Sequence, residues 1–148
     1  MRRFLFVAAL IASTGTALAL TIPTVRIVAV PNAPVTIQSC DVADWNFEVQ
    51  ARNRALPSLQ SFDVRFQAFD ASGKIVSSGT FTYPEVLASG DSDMQKQYNY
   101  GKITDAGNIA SMTCRLTSAT FKGIKKPWAY GDTWHGKLLP IATPTPNP

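Results

Sequence analysis

The feature that most restricts the fold of this chain is a strict alternation of apolar and polar side chains over residues 61–70. The apolar members are Phe62, Val64, Phe66 and Ala68, and the polar members between them are Asp63, Arg65 and Gln67. Successive side chains of a β-strand point to opposite faces, so this segment is predicted to be a strand with one buried face. Nothing beyond residue 19 sustains the helical period of about 3.6 residues. The pattern therefore predicts an all-β protein.

Shorter runs of the same kind recur along the chain, separated by clusters of Gly, Pro, Asn, Asp and Ser. Such spacing is typical of sandwiches and barrels. The further predicted strands are residues 25–30, 35–40, 45–50, 75–83, 94–100, 112–121 and 130–134. The turn Asp70–Lys74 contains Gly73 and predicts an antiparallel hairpin between its flanking strands. We expect an antiparallel β-sandwich of about seven strands, filled by aromatic and β-branched side chains.

The N-terminus carries the three parts of a secretory signal peptide in the correct order. Arg2–Arg3 is a short cationic start, residues 4–12 are an unbroken apolar run, and residues 17–19 supply small side chains before a cleavage site. The apolar run is shorter than the roughly twenty residues that cross a bilayer, so no transmembrane segment is expected in the mature chain. Leu20, in place of a cysteine, argues against a lipid anchor. Residues 1–19 are therefore predicted to be removed, and the mature chain to be secreted or periplasmic.

One domain is expected between the signal peptide and a C-terminal tail. Residues 20–138 have the length of one ordinary domain and are long enough to enclose a single core. Residues 139–148 carry proline at nearly every second position and have little to bury. Such a segment cannot form a regular ladder, so it is predicted to be a disordered or extended Pro/Thr-rich tail.

The charge balance of the mature chain excludes a strongly basic class of protein. The full sequence has 14 Lys and Arg, 10 Asp and Glu, and a formal net charge of +4. Removal of Arg2 and Arg3 with the signal peptide lowers this charge by two, to +2. Nucleic-acid-binding domains concentrate basic residues on one face, so no nucleic-acid partner is expected.

Cys40 and Cys114 are the only cysteines in the chain. In an exported protein, an even pair without neighbouring metal ligands indicates one disulfide. Two buried free thiols are the alternative. A redox-active pair is disfavoured because the Cys-x-x-Cys spacing is missing.

Phe66–Asp70, followed by the turn over residues 71–76, resembles the F-x-L-Y-D motif of the FxLYD family of small exported immunoglobulin-like domains. Arg52–Asn53 resembles the family's pattern at the end of the preceding strand, and residues 87–91 resemble its closing Pro-Gly turn. Ala68 and Phe69 stand where the family has Leu and Tyr, and Ser89 stands where it has Pro. The resemblance implies an immunoglobulin-like antiparallel β-sandwich and supplies no catalytic residues.

The loop after the last long predicted strand is the strongest candidate for a binding surface. It combines the cations Lys122, Lys125 and Lys126 with the aromatic residues Trp128 and Tyr130. The lysines would attract anionic lipid headgroups, an acidic polysaccharide or a protein, while the aromatic rings would supply contact area. The alternative is a solvated loop whose two aromatic side chains cap the core.

Other polar groups support weaker hypotheses. Asp132 and the single histidine, His135, raise the hypothesis of a hydrolase, but no Gly-x-Ser-x-Gly elbow accompanies them. Asp91–Asp93 would offer oxygen ligands for calcium if Asp70 lay near them, although acidic residues in such places usually form turns. One histidine and two distant cysteines are a poor set of zinc ligands. No metal and no cofactor are predicted.

These observations predict a non-enzymatic exported module with a binding or scaffolding role in the periplasm or outside the cell. Its expected partner is an unknown protein or an envelope or polysaccharide surface, and the module itself is expected to be a monomer. Two alternatives stay open. One is a secreted hydrolase with a site near Asp132 and His135. The other is an assembly subunit in which the apolar run Leu20–Val30 exchanges strands with a neighbour.

Overall fold

The computed structural model describes residues 24–43, 46–98 and 109–141. These residues form eight β-strands and no helix. The strands are β1 (Thr24–Ile27), β2 (Val35–Ala43), β3 (Asn46–Asn53), β4 (Leu59–Phe69), β5 (Ile75–Leu87), β6 (Ser92–Tyr98), β7 (Ser111–Phe121) and β8 (Trp128–Ala129). The predicted signal peptide, residues 20–23, residue 45 of the predicted strand 45–50, the end of the predicted strand at 99–100 and residues 142–148 of the predicted tail lie outside the described residues. Within the described ranges, no helix could span a membrane.

The strands make two sheets that pack face to face. The larger sheet has the order β1-β7-β4-β5, with β8 also paired to β7, and the smaller has the order β2-β3-β6. The chain passes from one sheet to the other four times, between β1 and β2, β3 and β4, β5 and β6, and β6 and β7, as in immunoglobulin-like sandwiches. The predicted β-sandwich is thus confirmed. The predicted hairpin is confirmed as well, because β4 and β5 pair antiparallel on either side of the turn.

The β1–β7 pair departs from the antiparallel prediction. Thr24 to Ile27 lie parallel to Ser111 to Cys114, whereas the other named strand pairs are antiparallel. Alternation along one strand indicates which face is buried but not the direction of the neighbouring strand. The sequence pattern therefore could not distinguish parallel from antiparallel pairing.

Aromatic side chains from both sheets meet in the core. Phe66 of β4 stacks on Phe81 of β5, with ring centroids 5.1 Å apart. Phe47 enters from the smaller sheet, with its centroid 5.9 Å from that of Phe66 and 5.1 Å from that of Phe81. All three rings are buried, so the apolar face predicted for β4 is the face that joins the sheets.

One disulfide ties the two sheets together. Cys40 lies on β2 of the smaller sheet and Cys114 on β7 of the larger sheet, and their Cα atoms are 6.7 Å apart. The predicted Cys40–Cys114 bond is therefore confirmed, and both half-cystines are buried in the core.

Asp70 organises the turn between β4 and β5. Its Oδ1 accepts hydrogen bonds from the Ser72 amide, the Ser72 hydroxyl and the Lys74 amide. The Ser72 hydroxyl contributes most to holding the pKa of Asp70 below its usual value. Gly73 follows with a φ of 83°, a conformation that favours glycine. This carboxylate serves the turn, which was the structural alternative to calcium binding.

The predicted final strand over residues 130–134 is wrong. The strand is β8, Trp128–Ala129, and the chain turns immediately after it. The Asp132 amide donates to the Ala129 carbonyl at 2.9 Å, and Gly131 in this turn has a φ of 95°. Glycine followed by aspartate favours a turn over an extended strand, and here that local preference outweighs the aromatic residues on either side.

Candidate binding groove

An open groove of about 660 Å³ lies at one end of the sandwich. Its lining comes from Leu56 and Pro57 before β4, from Ile124, Lys126 and Pro127 in the loop after β7, from Trp128 of β8, and from residues 131–137. We call it the tryptophan groove, because Trp128 and Trp134 both line it. Binding sites for small ligands and polymers are concave surfaces of this kind, with apolar walls and a few polar groups.

Strand pairing brings the two sides of the tryptophan groove together. Leu59 at the start of β4 lies opposite Phe121 at the end of β7. Beyond this pair, the Lys122 amide donates to the Ser58 carbonyl at 2.9 Å. The chain before β4 and the chain after β7 therefore leave the sheet side by side, and both contribute to the lining of the groove.

Asn53 holds the wall that precedes β4. Its Nδ2 donates to the carbonyls of Pro57 and Leu87, both at 3.0 Å, and its Oδ1 accepts from the Ala55 amide at 2.9 Å. The side chain is fully buried. It closes the loop beneath Leu56 and Pro57, so these two residues are presented at a fixed place on the rim.

Trp128 anchors the part of the groove lining that follows β7. Its indole Nε1 donates to the Asp132 carbonyl at 3.0 Å, and β8 pairs with β7 at Ala119 and Ser118. Only 5% of Trp128 is exposed, so most of this ring belongs to the core, and little of it is left to line the groove.

Trp134 is the half-buried ring of the groove. It packs against Phe121 of the core, with ring centroids 4.9 Å apart. Its Nε1 is buried and has no hydrogen-bond partner among the described residues. Gly136 covers this nitrogen so closely that a Cβ at position 136 would lie 2.7 Å from it. A buried donor without an acceptor costs about 1–3 kcal/mol, so a small shift of residues 134–137 that supplied an acceptor would be favourable.

The rim exposes apolar side chains to solvent. Leu56, before β4, is 57% exposed, and Ile124, after β7, is 43% exposed. Pro57 and Pro127 add further apolar surface beside them. An exposed apolar surface that lines a groove is typical of a contact site, whereas scattered single residues need no such explanation.

Positive charge is concentrated in the segment that forms this wall. Residues 122–137 contain four lysines and one aspartate, and the mature chain as a whole is predicted to carry +2, so the remaining residues sum to −1. Lys126 Nζ lies 3.3 Å from Asp132 Oδ2 in a solvent-exposed salt bridge. Pairs of this kind contribute at most about 1 kcal/mol, so Lys126 is still available to an anionic ligand. Lys137 also lines the groove and is exposed.

Of the five residues predicted for the binding surface, two line the tryptophan groove and three lie outside its lining. Lys126 and Trp128 line the tryptophan groove, while Lys122 and Lys125 are exposed on the same loop outside its lining. Tyr130 is 51% exposed and lies outside the groove, where the Arg115 guanidinium sits 4.1 Å from its ring centroid.

Sequence reasoning missed Leu56, Pro57 and Ile124 as groove residues. Trp134 was predicted only as the last residue of the strand 130–134. No local signal marks Leu56 or Pro57, because they join the site through the pairing of β4 with β7. An apolar residue on a lysine-rich loop, as at Ile124, was the one signal available.

Asp132 and His135 both line the groove, but their described contacts differ from those of a catalytic dyad. Asp132 Oδ2 accepts from Lys126 Nζ and from the Ala129 amide, each at 3.3 Å. No hydrogen bond joins Asp132 to His135, and the described residues contain no cluster of three His, Cys, Asp or Glu side chains able to hold a metal.

The fold and this site define a disulfide-linked β-sandwich with an apolar, basic-rimmed groove at one end. No family model, curated protein or solved structure matches the chain. The resemblance to the FxLYD family therefore stays a prediction from the motif.

Proposed function

We propose that this chain is a non-enzymatic exported binding module that holds an acidic polysaccharide in the tryptophan groove. The observation that carries the proposal is that exposed Leu56 and Ile124 line one groove together with residues of the cationic segment 122–137. The signal-peptide pattern and the disulfide support a location in the periplasm or outside the cell.

The chemistry of the groove favours an acidic sugar polymer over a purely apolar ligand. The C–H face of a pyranose ring can pack on indole, proline and leucine surfaces, as apolar faces do generally. Its hydroxyls can bond the polar groups on the rim, and its carboxylates can approach Lys126 and Lys137. A hydrocarbon ligand would bring no partner for these polar and charged groups.

The proposal is tested by calorimetric titration of the full mature chain with oligogalacturonate, and with uncharged dextran fragments as a neutral probe. We expect saturable binding of the acidic oligomer that weakens as salt rises, because exposed charge pairs are screened. Leu56→Ser should weaken binding about fivefold through lost apolar contact. Lys137→Gln should weaken it about threefold, as expected for an exposed charge pair.

Matched controls lie elsewhere on the sandwich. Val86→Ser removes an exposed apolar side chain from β5, and Lys74→Gln removes an exposed lysine from the β4–β5 turn. Both controls should bind as the unaltered chain does. Equal losses in test and control variants, or equal binding of the neutral probe, would refute the assignment of the groove.

The same titration separates a binding module from a hydrolase. The oligomer should be recovered at its original length after long incubation. Shortening that the His135→Ala variant abolishes would instead establish hydrolysis at Asp132 and His135.

A strand-exchanging assembly subunit is the second candidate, favoured by the position of β1. This strand has four residues, half-buried at most, and it pairs in parallel at the edge of β7. A short terminal strand of this kind can be replaced by the same strand of a second copy. Light scattering across a hundredfold range of concentration tests it: a growing dimer fraction supports exchange, and a constant monomer mass removes it.

A further inference from the structure

A second cavity lies on the smaller sheet and shares no lining residue with the tryptophan groove. It measures about 250 Å³ and is lined by Thr36, Gln38, Arg52, Arg54 and Ile141. We call it the arginine cavity. No acidic side chain contributes to its lining.

The β2–β3 ladder sets the positions of these polar groups. Thr36 of β2 lies directly opposite Arg52 of β3. The register shifts between Ile37 and Ser39, so Gln38 is the extra residue of a β-bulge. Bulges turn side chains out of the regular pleat, and they are common beside binding sites. Arg54 follows two positions after Arg52 and is held there by its amide, which donates to the Pro34 carbonyl at 2.8 Å.

Arg54 is unusually buried for an arginine, at 8% exposure. Its Nε donates to the Leu139 carbonyl at 3.0 Å and its Nη1 to the Ala33 carbonyl at 3.3 Å. Arg52 donates through Nε to the Gly90 carbonyl at 3.0 Å. A guanidinium has five donor hydrogens, so each arginine keeps several that no described residue accepts.

Two like charges share this site without a described counter-charge. Neither arginine forms a salt bridge with another described residue. Burial, and then the nearby charge of Arg52, lowers the pKa of Arg54. Buried charges in proteins are normally paired, because leaving one unpaired is costly. An anion in the cavity would relieve both the desolvation of Arg54 and its repulsion from Arg52.

We infer that the arginine cavity binds an oxyanion, a carboxylate or a phosphate group, between the guanidinium groups of Arg52 and Arg54. The planar donor pair of a guanidinium matches two oxygens of either anion. The Thr36 hydroxyl and the Gln38 amide, which line the same space, add donors to a bound oxygen. This site is separate from the proposed polysaccharide groove and does not depend on it.

The test is a titration of the isotope-labelled full mature chain with inorganic phosphate and, separately, with acetate, followed by two-dimensional ¹H–¹⁵N NMR. Sodium chloride at matched ionic strength is the reference. We expect saturable shifts at Arg52 Nε and at the amides of Thr36 and Gln38 with at least one oxyanion, and none with chloride. Phosphate alone would identify a tetrahedral ligand and acetate alone a carboxylate, and either result supports the site.

Variants separate binding from folding. Arg52 is half-buried and makes a single described side-chain hydrogen bond, so Arg52→Gln should fold and bind about tenfold more weakly. Arg54→Lys keeps the charge but loses the paired donors, and it should weaken binding similarly. Lys74→Gln, in the β4–β5 turn, should leave oxyanion binding unchanged. Shifts that chloride reproduces, or an Arg52→Gln variant that folds and binds normally, would overturn the inference.

Discussion

Asn53→Ala is the most informative single substitution for the stability of this sandwich. The change removes two donated hydrogen bonds, to the Pro57 and Leu87 carbonyls, and one accepted from the Ala55 amide. Each buried group left without a partner costs about 1–3 kcal/mol. A carbonyl oxygen has a second lone pair, so the cost of leaving one unpaired lies near the lower end of this range. For the three lost hydrogen bonds together we expect a decrease of about 3 kcal/mol in the free energy of unfolding. Urea denaturation followed by circular dichroism under non-reducing conditions measures it.

Gln60→Ala is the matched control, because Gln60 is exposed on β4, the next strand along the chain. Surface substitutions of this type usually change stability by less than about 0.5 kcal/mol. The Asn53 variant should also bind oligogalacturonate more weakly, since the loop below Leu56 and Pro57 loses its internal support. A loss below about 1 kcal/mol for Asn53→Ala, with an unchanged denaturant slope, would refute the reasoning.

Two further predictions concern the disulfide and a buried tyrosine. Replacement of both Cys40 and Cys114 by alanine opens a link between residues separated by 74 positions. We expect a stability loss of about 4 kcal/mol by urea denaturation, and a loss no larger than a typical surface substitution would contradict the loop-entropy argument. Burial raises the pKa of Tyr83 above its ordinary 10.0. The unfolded chain then loses this proton at lower pH than the folded chain, so stability should fall as pH rises above about 10. Tyr83→Phe should flatten that fall in thermal melts, and an unchanged slope would assign it to other groups.

The architecture was largely predictable because the alternation of apolar and polar residues indicates which face of a strand is buried. Phe62, Val64 and Phe66 are buried as the pattern predicts, while Asp63 and Arg65 are not. The disulfide followed from counting cysteines. The parallel direction of β1 and the early end of β8 depend on neighbours and on turn chemistry, and alternation reports neither.

The two sites were harder to predict, because each is assembled from segments far apart in the chain. The tryptophan groove needs Leu56 beside Ile124, which the Leu59–Phe121 pair provides. The residues Arg52 and Arg54 have the spacing of one strand face, but only contacts with Ala33 and Leu139 bury the second of them. The lysine enrichment of the loop after β7 was visible in the sequence, whereas the contribution of Leu56 and Pro57 to the same groove was not.

The central claim, that the tryptophan groove is the binding surface, is tested most directly by mapping an oligogalacturonate titration onto the ¹H–¹⁵N spectrum of the full mature chain. The account predicts that the largest shifts fall on Leu56, Ile124 and residues 131–137, including the indole N–H of Trp134. Gly73, at the far end of β4, should stay unshifted. Shifts spread evenly over the surface lysines, or a Trp134 indole signal that does not move at saturation, would contradict the account.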